Sequence, residues 1–155
     1  NGRLADLQQG GGMCYAEKLL ISKQDQLSPM HTHVIKAEDI INRGGATLVI
    51  ELFGSDDAGH FAEDKGGTVY CDGLRVDFDP GQKLKLAPGE SVTLMPGDWH
   101  AFWGEGGDVL IGEVSTVNDD ETDNIFREPI GRFANLEEDV DPTHLLVSDY
   151  ARWLA

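Results

Sequence analysis

The sequence has 155 residues, with 28 acidic against 12 basic side chains and a formal net charge of -16 at pH 7. A surface this acidic repels phosphates and anionic headgroups, so we expect no nucleic acid and no membrane as partner, whereas a neutral or cationic small molecule is easier to admit. The apolar runs, such as Thr47–Phe53, are far shorter than the ~20 residues of a bilayer span. The length suits one domain with one core.

Two cysteines, Cys14 and Cys71, stand apart in the sequence and outside any CxxC pair. This usage is typical of a reduced protein, so we expect a cytoplasmic location. The chain begins at Asn1 without an initiator methionine. We therefore expect that an N-terminal segment is missing from it.

Turn residues are dense, with 19 Gly and 6 Pro, and they separate short apolar runs of strand length. Helical periodicity is confined to Arg3–Gln9 and Leu136–Val140, while the Asp72-Gly73 pair predicts a tight hairpin. Many short strands at close spacing are typical of an all-β sandwich or barrel. The predicted strands are Ala16–Ser22, Met30–Val34, Thr47–Phe53, Thr68–Cys71, Leu74–Phe78, Lys83–Leu86, Ser91–Met95, Trp99–Trp103, Asp108–Val117 and Thr143–Val147.

The strongest chemical signal is a pair of histidines followed by a glutamate. His31 and His33 alternate on one strand, so their imidazoles point to the same face. Glu38 lies five residues past His33, and strict alternation would put it on the opposite face. We therefore expect the Ala37–Asn42 stretch to turn or bulge, bringing inward a carboxylate that is costly to bury unless a cation receives it.

A second motif supplies the remaining ligand, because a Pro96-Gly97 turn leads onto a strand that carries His100. The three imidazoles and one carboxylate of His31, His33, Glu38 and His100 suit Mn, Fe, Co, Ni or Zn. An octahedral ion would keep two positions open for two adjacent substrate oxygens. The two other histidines, His60 and His144, are expected to be packed or solvated residues without a ligand role.

The two segments resemble the paired motifs of the cupin superfamily. They depart from that pattern at Asp25, where the family has glycine, at Gly104, where many cupins have asparagine, and in the adjacent Pro96 and Gly97. None of these departures removes a ligand. The resemblance implies a double-stranded β-helix, or jelly-roll barrel, in one domain of residues 1–155. Residues 1–14 would form an arm, 15–117 the barrel core, and 118–155 a loop and closing strand.

A more specific resemblance runs in order from about residue 15 to the C-terminus. The string from His31 to Gly45 is similar to bacterial D-lyxose isomerases. So are the shorter strings Tyr15–Leu19, His100–Trp103, Gly112–Ser115, Val117–Asp120 and Asp123–Asn124. This resemblance implies a Mn²⁺-dependent, homodimeric aldose–ketose isomerase. Its substrates would be D-lyxose and D-xylulose, with D-mannose and D-fructose as larger analogues. The family carries an additional N-terminal segment, which fits the expected truncation.

Such an isomerase moves a proton between C1 and C2 of an open-chain sugar, with a metal stabilising the enediolate and a positioned base carrying the proton. Lys36, expected near the mouth of the site, could titrate near neutrality if partly desolvated, polarise a sugar oxygen, or be a surface lysine. Glu113 interrupts the apolar run Val109–Val114. Its carboxylate is either inward and functional or on a solvated face, and we favour the inward placement.

Four residues are candidates for substrate contacts. Asp120 and Asp123, in the acidic segment Asn118–Asp123, either grip sugar hydroxyls or belong to a solvated turn. Arg132 either reaches the site or pairs with this loop. Phe102 shares strand parity with His100 and is therefore the predicted cavity wall.

Two other functions use the same ligands. A non-catalytic cupin would bind a sugar or a metal without turnover, but it has no need for Lys36 and Glu113. A cupin dioxygenase would use iron and oxygen, and only the generic ligand set supports it. The sequence therefore favours the isomerase.

Overall fold

A computed structural model of the chain describes residues 4–119, 122–130, 137, 139–146 and 149–154. Strands dominate these residues, and no helix among them is long and apolar enough to cross a bilayer. The elements in chain order are α1 (Leu4–Gln9), β1 (Tyr15–Ser22), β2 (Ser28–His33), β3 (Glu38–Phe53), β4 (Gly67–Cys71), β5 (Leu74–Phe78), β6 (Gln82–Leu86), β7 (Ser91–Leu94), β8 (Trp99–Thr116), β9 (Asn124–Phe126) and α2 (Tyr150–Trp153).

Two long strands organise the fold. β3 and β8 pair antiparallel along nearly their whole length, from Glu38 opposite Ser115 to Phe53 opposite Trp99. Their register shifts in the region of Gly44 and Gly45. Bulges of this kind bend a strand and increase its twist, so each long strand contributes to two layers.

The pairing partners define the two layers. In the first layer, the C-terminal half of β8 pairs with β1 on one side and with the start of β3 on the other. The start of β3 pairs in turn with β7, β7 with β4, and β4 with β5. In the second, the end of β3 pairs with β6, and the start of β8 pairs with β2, which pairs with β9. Two layers that share their long strands form a jelly-roll barrel, so the predicted all-β fold is confirmed.

The bend in β3 depends on a glycine. Gly45 has a φ of +99°, and a Cβ there would collide with the carbonyl oxygen of Asp108. Only glycine adopts that conformation readily and lets the two backbones approach this closely. The residue that ends the first sequence motif therefore closes the corner of the barrel.

The core fills the space between the layers with aliphatic side chains and two phenylalanines. Most of these residues alternate along their strands with exposed or half-buried neighbours, as expected when one face of a strand is buried, although Val49 between Leu48 and Ile50 is buried as well. The buried cluster comprises Ile40, Leu48, Ile50, Leu52, Val69, Phe78, Leu86, Val92, Leu94, Phe102, Val109 and Ile111.

Most predicted elements are present, and the differences are informative. The Asp72-Gly73 hairpin is confirmed, with φ values of 48° and 80° that suit its tight turn. Two predicted strands, Trp99–Trp103 and Asp108–Val117, are parts of the single strand β8. The predicted strand Thr143–Val147 is wrong for residues 143–146, which form a bend at 143 and 144 and no regular structure at 145 and 146. The predicted helical turn Leu136–Val140 is not present at residues 137, 139 and 140. The short strand β9 and helix α2 were not predicted.

The core makes a direct stability prediction. Leu48→Ala removes a fully buried side chain from the centre of the barrel and leaves a cavity. We expect a loss of about 2–5 kcal/mol in the free energy of unfolding, measured by urea denaturation. The matched control is Leu74→Ala, whose side chain is 72% exposed, and we expect a change below about 0.5 kcal/mol there. Equal losses in both variants would contradict this assignment of the core.

Candidate metal centre and cavity

Three histidines and one glutamate converge between the two layers. His31 and His33 lie on the same face of β2, and His31 pairs across the sheet with His100 of β8. Glu38 opens β3 in the other layer. One ligand atom from each of the four residues lies within 4.8 Å of all the others. The predicted ligand set is therefore brought together.

Glu38 reaches this position by a route that differs from the predicted one. The chain turns at residues 34–37, before Glu38, and the following residues Glu38–Ile41 pair regularly with β7. The expectation of a turn or bulge within Ala37–Asn42 is therefore wrong over most of that stretch. Because Glu38 belongs to a different strand from His33, alternation along β2 does not determine where its side chain points.

Backbone carbonyls fix the tautomer of every histidine in the group. A carbonyl oxygen only accepts hydrogen bonds, so each Nδ1 carries the hydrogen and each neutral ring presents an Nε2 lone pair to its neighbours. The three Nδ1···O contacts are His31 to Pro29 at 2.7 Å, His33 to Asp123 at 3.2 Å and His100 to Asp98 at 3.0 Å.

The lone pairs converge on a carboxylate oxygen. Nε2 of His33 lies 3.3 Å from Oε1 of Glu38, and Nε2 of His100 lies 3.1 Å from the same oxygen. All three atoms are buried and have no hydrogen-bond partner among the described residues. Acceptors that face one another in a buried site repel, and a cation between them removes the repulsion. The donor set therefore fits a divalent metal ion.

The protonation states also suit a cation. Burial, reinforced by the nearby His100, lowers the pKa of His31 to about 3, so this imidazole is neutral at physiological pH. Burial opposes the charge of Glu38, but the Lys36 ammonium beside it favours the ionised form, and the pKa of Glu38 lies below the usual range. Neutral imidazole and ionised carboxylate are the forms that bind metals.

A chain of charged groups leads from this centre into a cavity. Nζ of Lys36 lies 2.6 Å from Oε2 of Glu38 and 2.9 Å from Oε1 of Glu113. Nζ of Lys18 lies 3.0 Å from the same Glu113 oxygen. The second oxygen of the ligand Glu38 is thus connected through Lys36 to a further carboxylate.

Lys36 differs from the sequence-based expectation in two respects. It is buried, with a side chain 4% exposed, instead of lying near the mouth of the site. Burial alone would lower the pKa of Lys36, but the charges of Glu38 and Glu113 raise it by more than burial lowers it. The pKa of Lys36 therefore lies above the usual value. Titration near neutrality is therefore not expected, because two carboxylates surround the ammonium.

Glu113 points inward, as predicted. It lies in the C-terminal half of β8, is buried, and lines the cavity beside Lys36. Its Oε1 accepts hydrogen bonds from both lysines, whereas Oε2 accepts none from the described part of the chain. One carboxylate oxygen is thus fixed by the two lysines at the wall of the cavity.

The cavity beside the centre has a volume of about 320 Å³, which is in the range of small-molecule sites. Phe102 forms part of its wall, as strand parity predicted. Alternation could have identified Lys18 and Leu20 on β1, whereas Asn124 and Phe126 lie on the unpredicted β9. The lining residues are Lys18, Leu20, Ser28, Pro29, His31, His33, Lys36, Glu38, Ile40, Phe102, Glu113, Asn124 and Phe126.

Asp123 is buried but does not line the cavity. Both oxygens of its carboxylate accept hydrogen bonds from backbone N–H groups of residues 34–36. The carboxylate thus faces that turn, and it belongs neither to the cavity wall nor to a solvated turn. Asp120 and Arg132 lie outside the described residues. His60 and His144 are exposed, in agreement with the expectation that neither is a ligand.

In sequence, the chain is similar to sugar isomerases. The family described as D-lyxose isomerase matches residues 1–150. A D-lyxose/D-mannose isomerase of Serratia proteamaculans is 50% identical over 143 residues, covering 91% of this chain and 62% of the relative. A D-lyxose/D-mannose isomerase of Escherichia coli O157:H7 is 46% identical over 142 residues, covering 90% of this chain and 62% of the relative. The chain thus spans less than two thirds of these relatives.

Solved structures support the fold. The unliganded L-ribose isomerase of Cellulomonas parahominis superposes with a TM-score of 0.55 at 16% identity, covering 80% of this chain and 62% of that one. NovW, a 4-keto-6-deoxy sugar epimerase of Streptomyces spheroides, gives a TM-score of 0.53 at 12% identity. The superposition covers 81% of this chain and 57% of NovW. At these identities the likeness concerns the barrel alone.

The converging lone pairs predict where a metal binds. His100→Ala removes one ligand, and no other side chain of the described group takes the place of the buried imidazole. We expect bound Mn²⁺ to fall from one ion per chain to a small fraction at micromolar metal, measured by elemental analysis after gel filtration. His60→Ala is the matched control, because that ring is exposed, and it should bind as the unmodified chain does. Full stoichiometry and affinity in the His100 variant would disprove the assignment.

Proposed function

Because the chain belongs to the D-lyxose isomerase family, we propose that it is an aldose–ketose isomerase that interconverts D-lyxose and D-xylulose, and also D-mannose and D-fructose. One observation carries the proposal. The metal-ligand group of Glu38 is joined through buried Lys36 to Glu113, and all three side chains line one cavity. A metal centre and an acid–base group beside the same cavity are what this reaction requires.

The cofactor we propose is Mn²⁺, held by His31, His33, Glu38 and His100. The same nitrogen and oxygen donors also suit Co, Ni, Fe or Zn. When bound, the ion would supply Lewis-acid polarisation of the sugar carbonyl and stabilise negative charge on the oxygens of C1 and C2. The fixed Nδ1–H tautomers keep each Nε2 directed at this position.

Glu113 is the proposed base. Its Oε2 takes the proton from C2 of the aldose and returns it to C1, while the hydroxyl proton moves from O2 to O1 as the carbonyl shifts from C1 to C2. Atoms and charge balance, because Glu113 is ionised again when the ketose forms. Lys36 and Lys18 hold Oε1, and so fix the orientation of the carboxylate.

Lys36 acts as a fixed hydrogen-bond donor in this proposal. Two of its three N–H groups face Glu38 and Glu113, and its position on the cavity wall leaves the third for a sugar oxygen. Its ammonium also stabilises negative charge that develops on that oxygen. Lys36 and Glu113 together are the proposed catalytic residues.

The remaining walls divide into apolar and polar surfaces. Phe102 and Phe126 exclude water from the reacting carbons, and Ser28 and Asn124 offer polar groups to sugar hydroxyls. Asp120 and Arg132 stay as predicted substrate contacts. A non-catalytic sugar-binding protein has no evident use for a buried lysine between two carboxylates, which is costly to desolvate.

We also propose a homodimer in the cytoplasm. Cys14 and Cys71 are both free thiols, as is usual for proteins of a reducing compartment. In the described part of the chain β1 pairs with β8 alone, so its other edge is open, and Leu19 and Ile21 are exposed on its outer face. Open edges with apolar side chains favour association with another chain.

The dimer has a direct test. We expect light scattering at micromolar concentration to give twice the chain mass of 16.9 kDa. A sample at high ionic strength is the control, because apolar contacts persist in salt whereas association by surface charge does not. A monomer mass in both buffers would contradict the proposed assembly.

The proposed base predicts the effect of one substitution. Glu113→Gln keeps the shape of the side chain but cannot take a proton, so kcat should fall by about two to four decades with the metal content unchanged. The matched control is Glu105→Gln, a lysine-paired glutamate on the exposed part of β8, which should leave kcat unchanged. Ketose formation from D-lyxose and elemental analysis of Mn²⁺ are the two measurements.

Exchange of the transferred hydrogen with solvent distinguishes proton transfer from a hydride shift. A base that releases its proton to water between steps places deuterium at C1 of the ketose when the reaction runs in deuterated water. Complete retention of the substrate hydrogen over many turnovers, with near-normal rates for Lys36→Ala and Glu113→Gln, would refute proton transfer by these residues. That result would favour a hydride shift instead.

A further inference from the structure

Asp123 lies in the site, but the proposed reaction does not use it. It lies directly before β9, its side chain is 2% exposed, and it contacts both the turn that carries Lys36 and the ring of His33. We propose that Asp123 is a positioning residue that locks this turn and this metal ligand to the cavity wall formed by β9. As a statement about catalysis, the proposal rests on the isomerase function proposed above.

The carboxylate is seated on three successive backbone N–H groups. Its Oδ1 accepts from Val34 at 3.0 Å and from Ile35 at 2.8 Å, and its Oδ2 accepts from Lys36 at 2.9 Å. Successive N–H groups in a turn form a concavity that binds anions. Hydrogen bonds to an ionised acceptor are about twice as strong as neutral ones.

The turn has little other anchorage at this point. Val34 and Ile35 are 65% and 46% exposed, so their side chains do not hold the backbone against the core. The next fixed points are the side chain of Lys36, which is ion-paired with Glu38 and Glu113, and the N–H of Ala37, which donates to Thr116 Oγ1 at 3.1 Å. The path of the backbone into Lys36 therefore depends on the Asp123 carboxylate.

The main chain of the same residue orients a metal ligand. The Asp123 carbonyl oxygen lies 3.2 Å from Nδ1 of His33 and so directs Nε2 of that ring to the metal position. Partners of this kind set both the tautomer and the angle of a ligating histidine. One residue thus fixes the ring of His33 and the backbone of Lys36.

The segment that follows carries part of the cavity wall. Asn124 pairs with His33 and Phe126 pairs with His31 between β9 and β2, and both side chains line the cavity. A shift of Asp123 would therefore move the wall, the ligand and the lysine together. This makes Asp123 important for the geometry of catalysis without contact to substrate.

Asp123→Asn is the sharpest test. Its amide offers one oxygen in place of two, so in either orientation at least one backbone N–H of the turn faces an N–H₂ donor. We expect kcat to fall about 10–100-fold with a much smaller change in KM. We also expect an altered d–d absorption spectrum in the Co²⁺-loaded protein, because the angle of His33 changes.

The matched control is Asp56→Asn. Asp56 Oδ1 also accepts two backbone N–H groups, from Ala58 and His60, but in an exposed loop outside the cavity lining. This variant should keep the kcat and the Co²⁺ spectrum of the unmodified chain. An Asp123 variant that behaves in the same way, with its kcat and spectrum unchanged, would overturn the proposal.

Two measurements keep the inference falsifiable apart from activity. Amide hydrogen exchange of the unmodified chain should show protection at residues 34–36 despite the exposed side chains, and rapid exchange there would overturn the proposal even if the Asn variant does not fold. If the unmodified chain fails to isomerise D-lyxose, the proposed function is wrong. The Co²⁺ spectrum and the exchange data would still decide the role of Asp123.

Discussion

The structure depends on a local repulsion that only a cation removes. Three imidazoles donate their Nδ1 hydrogens to backbone carbonyls, so their Nε2 lone pairs converge with an ionised carboxylate at the wall of the cavity. Without a positive charge between them, four acceptors would face one another at considerable cost. The barrel holds them in this arrangement, which fits a divalent cation between the four side chains.

The shared strands explain how the arrangement is held. β8 delivers His100 from one layer and Glu113 from the other, and β3 begins with Glu38 in the same layer as Glu113. The charges then alternate from Glu38 through Lys36 and Glu113 to Lys18. Each buried charge has an opposite neighbour, so the cavity can hold an acid–base group without leaving an unpaired charge inside the protein.

The ligand set and the barrel could be predicted because their signals are local. Alternation places His31 and His33 on one face, and turn residues mark most strand ends. Properties that arise from tertiary contact could not be predicted in this way. The pKa of Lys36 depends on two carboxylates from other strands, and Asp123 binds a backbone turn 87 to 89 positions away in sequence. The strand β9 is only three residues long, too short for a clear pattern.

A crystal structure of the Mn²⁺-loaded chain, measured at the manganese absorption edge, tests most directly whether a cation binds between these side chains. We expect one anomalous peak per chain, bonded to Nε2 of the three histidines and to Oε1 of Glu38, with Oε2 of Glu38 still hydrogen-bonded to Lys36. An absent peak, or a peak bonded through Nδ1 after the histidine rings have turned, would contradict this expectation.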